Sequence, residues 1–292
     1  MRFGSLPAGG AVLTDDAAYL LADGLTVDEL VAMGLERALE HGNTAVRGNP
    51  VPYGPDQLQL PKLPPSVRDF VTFESHVEGV RRSVDGASGV PEAWYDAPTF
   101  YFTNPHALYG PGVPVPKPTL TNALDYEMEV GAVAGPDLEI FGHTVVNDWS
   151  ARDIQSREMK VGLGPAKGKD FATSVGPWIV TADELAPHLD ADGFLDLDCR
   201  AYVARRDGEG ELIGHDRLSH MHWTFPEMFA YAARDSVVSP GDLLASGTTG
   251  GGGCLAELWG RRGEQTPPPL QVGDRVTLTI EGIGTLSNTV RD

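Results

Sequence analysis

The hydrophobic and polar positions of the chain predict a β-rich fold with a few amphipathic helices. Acidic and apolar residues alternate from Glu127 to Val130, and this period of two predicts a strand whose Glu127 and Glu129 side chains project from the same face. Apolar runs of strand length follow around residues 176–181, 196–204, 243–246 and 275–281. Residues 1–23 predict short strands joined by a turn.

Two helices carry clear start signals. Thr26, with Glu29 three positions later, forms a capping box, and the apolar stripe that follows predicts one helix closing near Gly42. A second capping box predicts a helix from Thr224 to Arg234. The first of these helices is predicted to serve in packing.

The segment 67–78 predicts an amphipathic helix, because Phe70, Phe73 and Val77 recur at helical spacing. His76 lies beside this apolar stripe, toward the polar side of the helix. An exposed surface histidine and a general base are both consistent with that position.

Another helix is predicted just after Asp148, with Ser150 as its N-cap. Arg152 and Gln155 are three residues apart and therefore share a face of this helix. Since the helix starts next to an acid at a strand end, Asp148 and this face are expected to point toward the same cavity.

Proline-rich composition marks residues 46–65 as an extended linker. We therefore predict a small N-terminal α+β module with its linker at residues 1–65 and a main domain at residues 66–292. The 35 glycines and 23 prolines favour a turn-rich β architecture over a helical bundle.

The formal net charge of −19 argues against nucleic acid or an anionic membrane as a partner. An anionic small-molecule substrate would have to be held by particular basic residues. Cys199 and Cys254 lie in no metal-binding spacing, which indicates reduced thiols and a cytoplasmic protein. The acidic first thirty residues contain no apolar run of signal-peptide or membrane-span length.

Three carboxylates provide the candidate chemistry. Glu127 and Glu129 share a strand face, and Asp148 ends the strand-like run 143–148. Acids that converge inside a protein repel one another unless a cation, a shared proton or water separates them. Oxygen donors without His or Cys partners suit Mg²⁺, Mn²⁺ or Ca²⁺ better than zinc. The alternative is that both glutamates form the solvated face of an edge strand.

Four segments, taken in order and spacing, resemble the fumarylacetoacetate hydrolase (FAH) family. They are LDYEME at 124–129, NDWSARDIQ at 147–155, LGPAKGKDFAT at 163–173 leading to GPW at 176–178, and PGDLLASGT at 240–248 followed by CLAEL at 254–258. The resemblance covers residues 66–285 and looks closer to bacterial members of the family whose substrates differ.

The resemblance implies a mixed α+β, β-rich fold with a β-roll or β-sandwich catalytic domain, a homodimer, and a divalent metal, Mg²⁺ or else Mn²⁺ or Ca²⁺. It implies that Glu127, Glu129 and Asp148 hold this metal. The positions implied to grip substrate oxygens are Arg152, Gln155, Lys169, Thr248 and, near a ligand contact, Tyr101. Glu257 stands where the family places the acid that orients a catalytic histidine.

Two departures from the family pattern concern the segment 68–79. The position of a fourth metal-ligating acid aligns with Thr72, so that either Glu74 or water is expected to take its place. The family's base histidine aligns with Gly79, so that His76 serves as base only if the helix is shifted or rotated.

The function implied is metal-dependent hydrolysis of a carbon–carbon bond in a 1,3-dicarbonyl substrate, such as an acylpyruvate or a fumarylacetoacetate-like acid. In this hypothesis His76, oriented by Glu257, activates water, and Lys169 with backbone donors near Thr248 stabilises the oxyanion. One alternative is decarboxylation, isomerisation or hydration of a 2-oxo (enoic) acid on the same metal site. Another is a non-catalytic ligand-binding protein with this fold.

Overall fold

A computed structural model describes residues 1–84, 86–206 and 208–292 of the chain, and within these ranges it contains seventeen strands. In chain order they are β1 Arg2–Leu6, β2 Gly9–Leu13, β3 Ala18–Leu20, β4 Val67–Phe70, β5 Phe100–Thr103, β6 Leu108–Tyr109, β7 Val115–Pro116, β8 Leu124–Asp125, β9 Met128–Ala134, β10 Ile140–Asp148, β11 Ser150–Ala151, β12 Thr173–Thr181, β13 Asp198–Ala204, β14 Gly210–Arg217, β15 Leu243–Ala245, β16 Arg275–Ile280 and β17 Gly284–Arg291. The predicted β-rich α+β fold is confirmed.

The same ranges contain seven α-helices. They are α1 Val27–Met33, α2 Leu35–Ala45, α3 Glu74–Val84, α4 Arg152–Val161, α5 Ala182–Leu185, α6 Phe225–Ala233 and α7 Leu255–Arg262. Both predicted capping boxes, at Thr26 and at Thr224, are formed. The single helix predicted after Thr26 is wrong, because Gly34 adopts a φ of 90° that a helix cannot contain and so separates α1 from α2.

The larger sheet has ten strands, in the order β3-β2-β1-β12-β10-β9-β15-β4-β5, with β6 also paired to β12. β1 pairs with β12 through Arg2 and Phe3, so the N-terminal strands extend the same sheet that holds the later strands. The division into residues 1–65 and 66–292 stays a prediction, although the sheet continues across it.

A second sheet of five strands, in the order β14-β13-β16-β17-β7, packs against the first. One hydrophobic cluster joins the two, since Val130 and Val145 of the large sheet belong to it together with Ala201 and Leu278 of the small one. This two-layer packing buries the central strands β9 and β10 along nearly their whole length. Side chains at the ends of these strands are therefore held in fixed positions.

Two local predictions are wrong. The start of segment 67–78 is strand β4, and the helix α3 begins only at Glu74. Of the apolar residues with this spacing, Phe70 lies in β4, which is buried along its whole length, whereas Val77 lies in α3. Ser150 lies in β11 and does not cap α4, whose N-cap is Ala151 without a side-chain cap.

In the described ranges, no helix has the length and apolar character needed to cross a lipid bilayer. Cys199 and Cys254 are both buried and free.

Candidate active site

The site forms where four neighbouring strands of the large sheet end side by side. β9 supplies Glu129 and is preceded by Glu127, while its neighbour β10 ends at Asp148. On the other side of β9, β15 pairs in parallel with β4, where Ala245 is the partner of Asp69. Because the sheet twist and register are fixed by buried strands, four acids are brought to one place.

Asp69, Glu127 and Glu129 offer carboxylate oxygens that all lie within 4.8 Å of one another. All three side chains are buried, as is Asp148. Both glutamates face the interior, so the alternative of a solvated edge strand is wrong. We call Asp69, Glu127, Glu129 and Asp148 the acid cluster.

Asp69 is the acid that the sequence alignment missed. The position of the family's fourth metal-ligating acid aligns with Thr72, but the Thr72 hydroxyl donates to the carbonyl of Ser246 at 2.6 Å. Glu74, the predicted substitute, is exposed and accepts a hydrogen bond from Tyr95 at 2.5 Å. The signal that could have found Asp69 is its place in the short strand Val67–Phe70, which is buried along its whole length and where a charged side chain needs a partner.

Two cations contact the acid cluster. The Lys169 ammonium donates to Glu127 and, at 2.6 Å, to Oδ2 of Asp148. Arg152 Nη2 lies 2.7 Å from Oε1 of Glu127, and its Nε donates to Asp125 at 2.8 Å. Burial opposes the charge on Lys169, but Asp148 and Glu127 raise its pKa above the ordinary value, so the ammonium stays charged.

Asp125 is a second residue without a role in the sequence interpretation. Its carboxylate accepts hydrogen bonds from the backbone N–H groups of Leu255 and Ala256, at 2.8 and 2.9 Å, at the start of α7. The same carboxylate holds Arg152 against the acid cluster. Asp125 therefore fixes the direction of Arg152 relative to Glu127.

The remaining predicted binding residues lie around the acid cluster. Tyr101 donates its hydroxyl to Asp148 at 2.6 Å, and Thr248 donates to Glu129 at 3.4 Å. Gln155 accepts a hydrogen bond from Arg152 Nη1 at 3.0 Å, which places both on one face of α4, as predicted. Lys167, in the same loop as Lys169, is exposed and pairs with Asp170, as solvated loop lysines do.

The acids of the cluster titrate differently because their neighbours differ. Burial, and then the nearby carboxylates, raise the pKa of Asp69 and of Glu129 well above the ordinary values. Burial also acts on Glu127, but Lys169 and Arg152 outweigh it and lower its pKa. Glu127 is thus ionised at neutral pH. For Asp69 and Glu129, repulsion from the neighbouring carboxylates disfavours the charged form.

A divalent cation fits this arrangement on its donor chemistry. Within the described residues, Asp69 Oδ1, Glu129 Oε2 and Asp148 Oδ1 are buried without a hydrogen-bond partner. Buried oxygens of this kind normally have partners, and hard divalent ions take carboxylate oxygens as ligands.

His76 is buried and lines the cavity beside the acid cluster, not the polar outer face of α3. Burial lowers its pKa to about 3, so the imidazole is neutral at pH 7. Its Nδ1 lies 3.7 Å from Sγ of Cys254. A neutral ring can accept a proton, but this low pKa makes His76 a weaker base than a free imidazole.

Glu257 and His76 are not joined by a hydrogen bond in the described part of the chain. Glu257 Oε1 lies 2.5 Å from Nη2 of Arg261, and Oε2 accepts the N–H of Gly252 at 3.2 Å. Burial raises the pKa of Glu257 to about 7. The expected Glu257–His76 pair is absent because Arg261, one helical turn later, holds the carboxylate.

The glycine run after Thr248 is used within the protein. Thr249 N–H donates to the carbonyl of Met128, and Gly253 N–H donates to that of Gly250. The Gly252 carbonyl accepts the buried hydroxyl of Tyr126. The N–H groups of Thr249 and Gly253 are therefore used within the protein, and an oxyanion role for other backbone donors near Thr248 stays a prediction.

A cavity of about 390 Å³ opens beside the acid cluster. Its walls include these predicted or newly found site residues: Asp69, His76, Tyr101, Glu127, Glu129, Arg152, Gln155, Lys169 and Thr248. A larger cavity of about 850 Å³ lies elsewhere, between the N-terminal segment and β16–β17. The smaller cavity is the candidate active site, because it alone of these two reaches the acids.

The family model for the fumarylacetoacetate (FAA) hydrolase C-terminal domain matches residues 66–291. Among curated proteins, the fumarylacetoacetase of Oryza sativa subsp. japonica is 33% identical over 198 residues, which are 53% of this chain and 46% of that protein. The chain thus spans about half the length of this relative.

Two solved structures cover all of this chain. Maleylpyruvate hydrolase from Sphingobium sp. SYK-6, in complex with manganese(II) ion and pyruvate, gives a TM-score of 0.68 at 22% identity over 99% of its own chain. The 5-carboxymethyl-2-hydroxymuconate delta-isomerase from Mycobacterium smegmatis gives 0.66 at 25% identity over 98% of its chain. The fold is therefore shared with hydrolases and isomerases alike.

Proposed function

The chain belongs to the fumarylacetoacetate hydrolase family, and we propose that it is a divalent-metal-dependent hydrolase that cleaves a carbon–carbon bond of a 1,3-dicarbonyl acid such as an acylpyruvate. The observation that carries the proposal is the buried acid cluster, with unpartnered oxygens, on the wall of an accessible cavity. The manganese and pyruvate in the Sphingobium structure support a site for a metal and a 2-oxo acid.

Asp69, Glu127, Glu129 and Asp148 would hold the ion. When bound, a divalent ion would supply Lewis-acid polarisation of the substrate's carbonyl groups and stabilise negative charge on the departing enolate. Mg²⁺ and Mn²⁺ both suit four carboxylates.

Arg152 and Gln155 bind and orient the substrate carboxylate, Arg152 with its planar guanidinium held in place by Asp125. His76 removes a proton from the water that adds to the remote carbonyl. Lys169 keeps a positive charge beside the oxygen on which negative charge develops. Breaking the carbon–carbon bond then releases a carboxylic acid and an enolate, which His76 protonates to the 2-oxo acid.

Steady-state assays with acylpyruvates, oxaloacetate and 2-oxo enoic acids, each with Mg²⁺ or Mn²⁺ and with or without chelator, test this proposal. Metal-dependent release of pyruvate from acylpyruvates is the expected result. Ligand binding without turnover of any of these compounds would identify a non-catalytic binding protein instead.

A second reaction, isomerisation or decarboxylation of a 2-oxo acid, is favoured by one observation. Glu257 pairs with Arg261 and does not orient His76, and these reactions need no hydrolytic water. His76→Gln tests whether His76 activates the hydrolytic water. If the chain is a hydrolase, acylpyruvate cleavage falls at least about 100-fold in this variant, whereas an unchanged rate would remove His76 from the mechanism.

We also propose that the chain forms a homodimer and is located in the cytoplasm. Light scattering of the purified chain gives the oligomeric state.

A further inference from the structure

Two helices, α3 and α4, line the cavity beside the acid cluster. α3 lines it from His76 to Val84, and α4 lines it from Arg152 to Met159. At a rise of 1.5 Å per residue, these stretches extend about 12 Å and about 10 Å from the cluster. The hydroxyl of Ser156 donates to the carbonyl of Val84 at 2.9 Å and ties the two helices together.

Both helical walls change from polar to apolar with distance from the acid cluster. On α4, the cluster end carries Arg152 and Gln155, and the far end carries Met159. On α3, the residues that line the cavity beyond His76 include Val77, Val80 and Val84. The valines recur at helical spacing and form one continuous apolar wall.

Arg81 is the charged residue of this stretch of α3 that lines the cavity. Its Nη1 donates to the carbonyl of Gly89 at 2.6 Å and to that of Ser88 at 3.5 Å. This guanidinium nitrogen is thus engaged with backbone carbonyls of the segment that follows the helix. Apart from Arg81, the α3 and α4 residues that line the cavity beyond Gln155 are Val77, Val80, Val84 and Met159.

We propose that the substrate carries an uncharged, apolar acyl group that lies between α3 and α4, and that it does not end in a second carboxylate. This inference rests on the proposed function, in which the 2-oxo acid end lies at the acid cluster. A carboxylate against Val80, Val84 and Met159 would lose part of its hydration, while Nη1 of the neighbouring Arg81 is held by the carbonyls of Ser88 and Gly89. Each buried methylene group, in contrast, strengthens binding about fourfold.

A matched pair of ligands tests the tail preference without requiring catalysis. 5-Methyl-2-oxohexanoate and 2-oxoglutarate have the same 2-oxo acid end and nearly the same shape, but two methyl groups of the first replace the terminal carboxylate oxygens of the second. Calorimetric titration of the Mn²⁺-loaded protein with each ligand gives their affinities. The apolar ligand is expected to bind at least about tenfold more tightly.

Met159→Arg places a cation at the far end of the cavity on a side chain that is already 41% exposed. This variant is expected to reduce the preference for the apolar ligand about fivefold, because the new charge can pair with the carboxylate of 2-oxoglutarate. Val161→Arg is the matched control. Val161 lies on the same helix, is 72% exposed and does not line the cavity, so the preference should not change.

Equal or tighter binding of 2-oxoglutarate by the native chain would overturn the inference. If Arg81→Leu then removed that binding, Arg81 would be the group that recognises a second carboxylate. Either result leaves the proposed function standing, since Mn²⁺-dependent binding of a 2-oxo acid would still be observed. Absence of Mn²⁺-dependent binding of both ligands would overturn the inference and the proposed function together.

Discussion

At the residue scale, the charge of the site is set by an imbalance between acids and cations. The acid cluster has four carboxylates, and the two cations that contact it are Lys169 and Arg152. Four acids less two cations leaves an excess of two negative charges when all are ionised, and Arg152 also serves Asp125. A doubly charged ion matches this excess, which explains why acids so close together are tolerated in a buried place.

Asp69→Asn tests the acid that the structure adds to the cluster. The variant keeps the size of the side chain but removes one charged ligand, so Mn²⁺ affinity measured by calorimetry should fall by more than about 100-fold, beyond the loss typical of outer partners. Glu74→Gln is the control, because Glu74 is exposed and bound to Tyr95. Equal affinities in both variants would remove Asp69 from the site.

His143 gives a pH-dependent contribution to stability that is separate from the site. This residue of β10 is buried beside Phe225, with neither ring nitrogen hydrogen-bonded in the described structure. Burial lowers its pKa to about 4. Since the unfolded chain binds a proton near pH 6.5 and the folded chain does not, stability falls as the pH drops from about 6.5 to about 4.

His143→Leu should therefore reduce the loss of unfolding free energy between pH 7 and pH 5 by about 2 kcal/mol. Urea unfolding at the two pH values measures this difference. The exposed His106 provides the matched variant, His106→Leu, which should leave the loss unchanged. The same loss in native chain and His143→Leu would show that His143 is protonated in the folded state.

At the element scale, the position of α3 is decided by its close contact with α7. A Cβ atom on Gly260 of α7 would lie 1.9 Å from the carbonyl oxygen of Gly79 on α3, and one on Gly79 would lie 2.5 Å from Cγ of Glu257. Only glycine allows the two backbones to approach in this way. The approach places His76, one turn before Gly79, at the acid cluster.

Gly260→Ala should destabilise the chain by about 2 kcal/mol, because the backbone oxygen of Gly79 cannot move away as a side chain can. The control is Gly42→Ala in α2, where the new Cβ would chiefly meet the flexible thioether of Met1. Thermal unfolding of both variants gives the comparison. A gain in stability for Gly260→Ala, as expected from helix propensity alone, would contradict this packing.

Secondary structure was predictable where local signals decide it. The capping boxes at Thr26 and Thr224 satisfy backbone N–H groups within a few residues, and both formed. The helix predicted for residues 67–78 is wrong over Val67–Phe70, because pairing with β15 and β5 overrides the helical spacing there. The alignment with the family pattern places the fourth acid at Thr72, whereas the acid in the cluster, Asp69, lies three residues earlier.

At the scale of the whole molecule, the site depends on contacts between distant parts of the chain. The acids at the start of β9 and at the end of β10 could be predicted from the sequence, because these two strands are adjacent in sequence and in space. The pairing of β4 with β15 joins residues more than 170 positions apart, as the bond from Thr72 to Ser246 shows. No periodicity within a short segment carries that information.

The net charge of −19 opposes the approach of an anionic substrate to this site. Raising the ionic strength from about 10 mM to about 150 mM shortens the screening length from about 30 Å to about 8 Å. The association rate of a 2-oxo acid, measured by stopped flow, should therefore rise about two- to threefold. A falling rate would mean that the local charges of Arg152 and Lys169 dominate the approach.

The central claim is that the buried acid cluster binds one divalent ion. Equilibrium dialysis of the native chain against Mn²⁺, with the bound metal counted per chain, tests it most directly. The predicted result is one ion per chain that is lost in Glu129→Gln, whose fold is unchanged because the substituted side chain has nearly the same shape. Absence of bound Mn²⁺ in the native chain, or equal binding in the variant, would contradict the account.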